Sequence, residues 1–456
     1  MLPKRLLRAG AIIAALAFMQ GPALAVTLKQ ALEYAYANNP DIMSALLSVK
    51  ASAEDIAARK AGKLPSIGFS ADFTNAFSIG TDSGFNSAAD FSGGFSYRQT
   101  LWDNFRTESQ IEQARALTEV ATYAMRNQEQ NVLLSVAQAY MNVIRDTQLV
   151  ELRAENMRFF QAQVDSSDER LRIGEGTRID VSQARARLAQ ATASYRVAIG
   201  NLQISQASYE RWVGRKPSNL SADYNFNGLV PSALEPAIRS AETRHPAVLS
   251  AQASIRVSQA GYEAARAAFG PTLTLIGNLC TINCFGNSPT NPGQAGVSGS
   301  VGLQLSIPIY SGGANGAAMR KANLLAIQSE FESLSTRDQV REAVTTAWAT
   351  LQNANAQIQS ARTAVESQRL VVEGVVAERD VGQSTTLDVL NAQAELTSAQ
   401  ESVIGATATR TIASFSLIAA TGRLNARDLR LNVQIKSADG YIAAVEEIWS
   451  DYAFIE

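Results

Sequence analysis

The chain has 456 residues, with 40 Lys and Arg against 42 Asp and Glu, a net charge of −2, one histidine and two cysteines. That balance gives no electrostatic ground for a nucleic-acid partner, and a single histidine excludes a His-based triad or a multi-His zinc site by counting. Cys280 and Cys284 are too few to hold together an exported chain of this length; oxidised they close one local turn, and otherwise they are free thiols.

Residues 1–25, MLPKRLLRAGAIIAALAFMQGPALA, have a basic start, an apolar run through Phe18 and a small-x-small end at Ala23 and Ala25. This is the pattern of a secretory signal peptide, too short to span a bilayer. Its removal takes away Lys4, Arg5 and Arg8, leaves a charge of −5, and exposes Val26, which offers no cysteine for a lipid.

Helices are expected near 27–38 and 41–62, strands near 66–78 and 90–101, a very long helix over 106–172, and a further helix over 178–213. The same order recurs near 232–243, 246–268, 271–280, 297–309, 314–380 and 386–420. Pro40 pairs with Pro246, Pro65 with Pro271, Trp102 with Tyr310 and Gly214 with Gly422, at an offset drifting only from 206 to 208. GEGTRIDVSQARARL, from Gly174, is repeated as GQSTTLDVLNAQAEL, from Gly382, with seven of fifteen positions identical. The reading is one duplicated unit: a first repeat over 26–230, a second over 231–425, and a C-terminal segment, 426–456, outside the pattern, taken as a short equatorial helix. His245, before Pro246, reads as a solvated residue at a helix junction.

Val344, Leu351, Ile358, Val365 and Val372 recur at intervals of seven, with Ala347, Ala354 and Ala361 between them, and the first half repeats the column as Val136, Val143, Val150, Met157 and Val164. Such columns are coiled-coil seams. Proline-free helices of about 65 residues would be roughly 100 Å long at 1.5 Å per residue, so a rod is implied. The strand segments change period: Ile67, Phe69, Ala71 and Phe73 alternate with small or polar residues, and so do Val301, Leu303, Leu305 and Ile307. A lipid-facing barrel strand and a half-buried strand of a soluble sheet both show this alternation. Four strands in an otherwise helical chain favour the first, because edges in lipid must be closed and barrels need at least about eight strands, which forces an oligomer.

Duplicated halves, paired strands each followed by a long helix, and the repeated turn motif together resemble the TolC family of outer-membrane efflux and secretion channels over about residues 26–425. The resemblance implies a mainly α fold with a small β part: a homotrimer with a coiled-coil helical barrel and a 12-stranded transmembrane β-barrel, four strands from each protomer. It implies a passive exit duct for efflux or type I secretion, with outer-membrane lipid around it and an inner-membrane ABC or RND transporter and a periplasmic adaptor as partners. Asp388 matches the family's upper entrance aspartate, whose threefold ring favours cations and binds divalent ions. Where the family carries a second aspartate this chain has Asn391, so the ring is expected to be weaker. Asp180 matches an aspartate that latches the closed state to a tyrosine on the neighbouring coil; here Arg379 holds the tyrosine position and Ser384 that of a nearby arginine. Arg379 is read either as a charged replacement latch or as a solvated helix end. No cofactor is implied. SGGANG, 311–316, lacks the ending of a phosphate loop and is read as a strand-to-helix junction; no catalytic constellation appears, so no enzyme is expected. A periplasmic or surface coiled-coil structural or adaptor protein is the alternative, disfavoured by the two strand pairs.

Overall fold

The computed structural model describes residues 26–80, 84–221, 227–282 and 296–450. The expected signal peptide, Cys284 with the loop around it, and the last six residues lie outside the described residues. Nine α-helices and four strands are described: α1 (Leu28–Asn38), α2 (Pro40–Lys60), β1 (Ser66–Gly80), β2 (Gly84–Trp102), α3 (Arg106–Arg172), α4 (Arg178–Val213), α5 (Leu234–Arg244), α6 (Pro246–Ala267), β3 (Thr272–Ile282), β4 (Gly296–Ser306), α7 (Ala314–Asp380), α8 (Thr386–Ala420) and α9 (Asp439–Glu447). The architecture is mainly helical with one small antiparallel sheet. Its residues form two compact units, one of Met1–Asn38, Leu133–Gly228 and Leu351–Ala413, the other of Asn39–Val132, Leu229–Thr350 and Ser414–Glu456.

In the second unit the strands pair in the order β1-β2-β3-β4. The registers Phe69↔Phe95, Phe95↔Leu279 and Leu275↔Leu303 keep odd-numbered residues together across all four strands. One face therefore carries Ile67, Phe69, Phe73, Phe95, Leu279, Val301, Leu303 and Leu305, all exposed in the single chain. The other carries Ser70, Asp72, Ser96, Asn278, Ser300 and Gln304, with Cys280 among them. A bulge between Thr100 and Trp102 brings Trp102 opposite Leu273, onto the apolar side.

Each strand pair is joined to its long helix by two consecutive left-handed residues, Asn104 (φ 55°) and Phe105 (φ 64°) in the first half, Gly312 (φ 62°) and Gly313 (φ 84°) in the second. The glycines of SGGANG supply that conformation before α7, and the first half does the same without glycine. Helix breaks are equally local. Asn39 accepts the Asp41 N–H at 2.9 Å ahead of Pro40, and His245 Nδ1 accepts the Ala247 N–H at 3.2 Å ahead of Pro246. His245 is partly buried and burial holds its pKa down. The expected solvated junction residue is thus a helix cap.

The repeat seam is partly buried in the single chain: Val136, Val143 and Val164 in α3, and Val344, Leu351 and Ile358 with Ala347, Ala354 and Ala361 in α7. Val365 and Val372, towards the end of α7, are only half-buried. Residues after α8 fold back onto the second unit. Glu446 in α9 accepts two bonds from Arg115, at 3.0 and 3.2 Å, and pairs with Lys60, while the Tyr441 hydroxyl bonds Glu54. α8 is long and apolar enough to cross a bilayer by composition, but 44% of its most apolar window is buried within the protein.

Candidate functional site at the paired helix turns

The repeated motif folds into the same turn twice, α3 to α4 and α7 to α8, both in the first unit. Gly174 (φ 83°) and Gly382 (φ 78°) are left-handed and end the long helices. Glu175 N–H reaches back to the Arg170 carbonyl (2.9 Å) and Gln383 N–H to that of Glu378 (2.8 Å), while each glycine N–H bonds three residues back. This double bond pattern is the Schellman stop, which satisfies carbonyls the helix end leaves open.

The threonine and aspartate that follow start the next helix. Thr177 Oγ1 accepts the Asp180 N–H (3.2 Å), and Asp180 Oδ2 accepts from Thr177 N (3.0 Å) and Oγ1 (2.7 Å), a reciprocal capping box. Thr385 and Asp388 repeat these bonds at 3.2, 2.9 and 2.6 Å, and the Ser384 hydroxyl adds a third donor to Asp388 Oδ2 at 3.2 Å. The Thr385 hydroxyl and amide, then Ser384, hold the Asp388 carboxyl below its ordinary value, so it is a charged, exposed carboxylate at neutral pH. Three of the seven identities that link the two halves, the glycine, the threonine and the aspartate, are therefore a helix stop and a helix start.

Arg379 lies in the last turn of α7 with only 12% of its side chain exposed. Its Nη1 donates to Gln163 Oε1 of α3 at 2.8 Å, and its Nη2 and Nε donate to Asp380 at 2.7 and 3.1 Å. Within one chain Asp180 is engaged by Thr177 and Arg379 by Gln163 and Asp380; the structure does not bring these two together in the protomer. It does bring Ser384 to Asp388. Asn391, exposed on α8, accepts a 2.8 Å bond from Arg187 Nη2 of α4, whose Nη1 also bonds Gln190.

Above the turns, Phe160, Ala191 and Leu390 form a buried cluster with Met157 and Leu188 against it. Beyond it α3 holds α8 by polar contacts: Thr397 bonds Asn156 at 3.0 Å in a buried position, and Arg153 bonds Glu401 at 2.7 Å. Burial raises the Glu401 pKa, against the pull of Arg153. Gln163, Arg187, Asn156 and Arg153 escaped sequence reasoning because their partners lie over 200 residues away in the chain. One signal did exist for Arg187: the equivalent position of the other half is Glu395, a reversal of charge inside the most similar stretch of the repeat.

A family model described as outer membrane efflux protein matches residues 31–215 and 237–423. The chain is 31% identical to the outer membrane efflux protein BepC of Brucella suis over 446 residues, covering 98% of this chain and 96% of that one. It is 26% identical to the outer membrane protein TolC of Escherichia coli over 422 residues, covering 89% and 84%. In fold it resembles the crystal structure of the Campylobacter jejuni CmeC outer membrane channel, with a TM-score of 0.77 at 16% identity over 92% of this chain and 89% of that one.

Proposed function

The chain belongs to the outer membrane efflux protein family, and from that premise we propose that it is a passive duct, gated at its periplasmic end. In this reading three copies join their four strands into one 12-stranded transmembrane barrel, continued across the periplasm by a tunnel of long helices. The two repeats build the wall, and 426–456 forms an equatorial clasp.

The open sheet carries the proposal. Among the described residues β1 and β4 each pair on one side only, and one face of the sheet is mainly apolar, with its large side chains exposed. Lipid offers no partner to backbone N–H and C=O groups, so a spanning sheet must close, and closure needs at least about eight strands. Outer-membrane lipid covers the apolar face and water the polar one. A coiled-coil structural or adaptor protein has no use for such a sheet.

At the entrance, Asp388 from each copy forms a carboxylate ring that favours cations and offers a site for a divalent ion, while Asn391 adds no charge to it. Asp180, Arg379 and Ser384 form the latch, with Asp180 meeting Arg379 of a neighbouring coil; a charge-assisted bond there is about twice as strong as a neutral one. Energy comes from an inner-membrane transporter of ABC or RND type, reached through a periplasmic adaptor, and the duct itself catalyses nothing. The test is light scattering of the detergent-extracted protein, then single-channel recording in planar bilayers. A trimer with a small, cation-preferring resting conductance that rises in Asp180→Ala supports the reading. A monomer, or a well-folded trimer without channels, refutes it.

A further inference from the structure

The bond between Arg187 and Asn391 joins α4 to α8 one helical turn along from Asp388. Its donor is a guanidinium, charged at every accessible pH, and both of its bonds go to amide oxygens, Asn391 Oδ1 at 2.8 Å and Gln190 Oε1 at 3.3 Å. Among the described residues no carboxylate pairs with Arg187, whereas its neighbour Arg185 is matched by Asp168 at 3.1 Å. The positive charge of Arg187 is therefore not cancelled locally. It is half-buried, and the two bonds place its guanidinium beside Asn391.

Resting on the entrance reading above, we propose that Arg187 is a selectivity-determining residue: it places a second ring, of guanidinium groups, beside the Asp388 carboxylates and sets how strongly the entrance prefers cations. Along α8 the carboxylates one turn to either side of Asn391 are Asp388 and Glu395. Arg187 bonds the residue between them. A carboxylate at 391 would be neutralised by this guanidinium; an amide accepts from it and leaves its charge standing. Charges in a narrow, low-dielectric constriction act on a passing ion together, because field lines are focused there. Three like charges within several ångströms of the ion path change cation over anion preference by roughly threefold to tenfold.

The test is the reversal potential in a salt gradient across planar bilayers, with block by Mg²⁺ from the entrance side, for the full-length trimer. Arg187→Gln is expected to raise cation preference by about threefold or more and to tighten Mg²⁺ block, while Arg187→Lys, which keeps the charge, stays near wild type. Asn391→Asp alone changes little, because Arg187 pairs with the new carboxylate; combined with Arg187→Gln it exceeds the sum of the single effects. Asp388→Asn separates the two levels of the argument. If it abolishes cation preference while Arg187→Gln changes nothing, the guanidinium ring is overturned and the entrance reading stands. If Asp388→Asn also changes nothing, both fall.

Discussion

Replacing Thr177 by alanine tests whether the repeated motif is first of all a device for starting a helix. The substitution removes the hydroxyl that accepts the Asp180 N–H at 3.2 Å and donates to Asp180 Oδ2 at 2.7 Å, and leaves only the backbone bond from Thr177 N at 3.0 Å. Loss of an N-cap hydroxyl costs about 1 kcal/mol, equivalent to roughly a fivefold rise in the frayed population of the first turn. The first turn of α4 contains buried Val181, so fraying also loosens the packing next to the turn, which the proposed function places at the entrance. Amide hydrogen exchange should show Asp180, Val181 and Ser182 exchanging about five times faster, with α4 beyond Ala191 unchanged, and the resting conductance of the trimer should rise. Thr177→Ser should restore both. Equal exchange in wild type and Thr177→Ala, or failure of the serine to rescue, would falsify the capping argument.

Gly382→Ala and Gly422→Ala share a left-handed backbone, φ 78° and 75°, but a Cβ at 382 meets nothing within 4 Å whereas one at 422 lies 2.8 Å from His245 Cα and 2.9 Å from the Arg244 carbonyl. The first should cost about 1 kcal/mol, the second about 3 kcal/mol because backbone must move, a contrast measurable as thermal midpoints in detergent. Glu129 is buried and accepts the Ala426 N–H at 2.7 Å; burial lifts its pKa above the ordinary 4.5, against that bond. Its folded-state pKa being raised, its contribution is complete below pH 4.5 and declines as pH rises through the folded value. Glu129→Gln should therefore flatten the fall of the thermal midpoint from pH 4.5 upwards. On the sheet, Val301→Arg should cost about 2–4 kcal/mol in the bilayer and sharply reduce outer-membrane trimer, while Ser300→Arg on the opposite face should assemble; equal yields of the two would remove the assignment of the lipid face.

What sequence shows of this molecule is whatever depends on near neighbours. Alternation along β4 places Val301 and Ser300 on opposite faces because side chains in a strand have a period of two, and the seven-residue spacing of Val344, Leu351 and Ile358 marks a buried stripe. The turns were legible for the same reason: Gly382, Thr385 and Asp388 interact within a few residues, so spacing alone carries the geometry. Their role was only half legible, since the identity between halves reads as duplication of one unit, and the structure shows which of the shared residues both turns need in order to form. Long-range partners left no local mark. Nothing in the sequence around Arg379 points to Gln163, and the charge reversal between Arg187 and Glu395 marks Arg187 without naming Asn391 as its partner.

Duplication makes that distinction useful. Positions identical in both halves, Gly174 and Gly382, Thr177 and Thr385, Asp180 and Asp388, are those both turns need in order to form. Chemistry peculiar to one turn must then lie where the halves differ, as at Leu171 against Arg379, Gly176 against Ser384, Gln183 against Asn391, and Arg187 against Glu395. Each of these four pairs contains a residue that makes a polar contact distinctive of its turn: Arg379 with Gln163, Ser384 with Asp388, and Asn391 with Arg187. The steric side agrees: a Cβ at Gly176 would already lie 3.1 Å from the Leu171 nitrogen, so the first turn has little room for a side chain like Ser384. The two turns thus carry two different surfaces on one backbone plan. Exchanging Arg379 and Leu171 between the halves should preserve both turns and disturb only gating, as read from resting conductance, because each residue enters the helix stop only through its backbone carbonyl, which the exchange keeps.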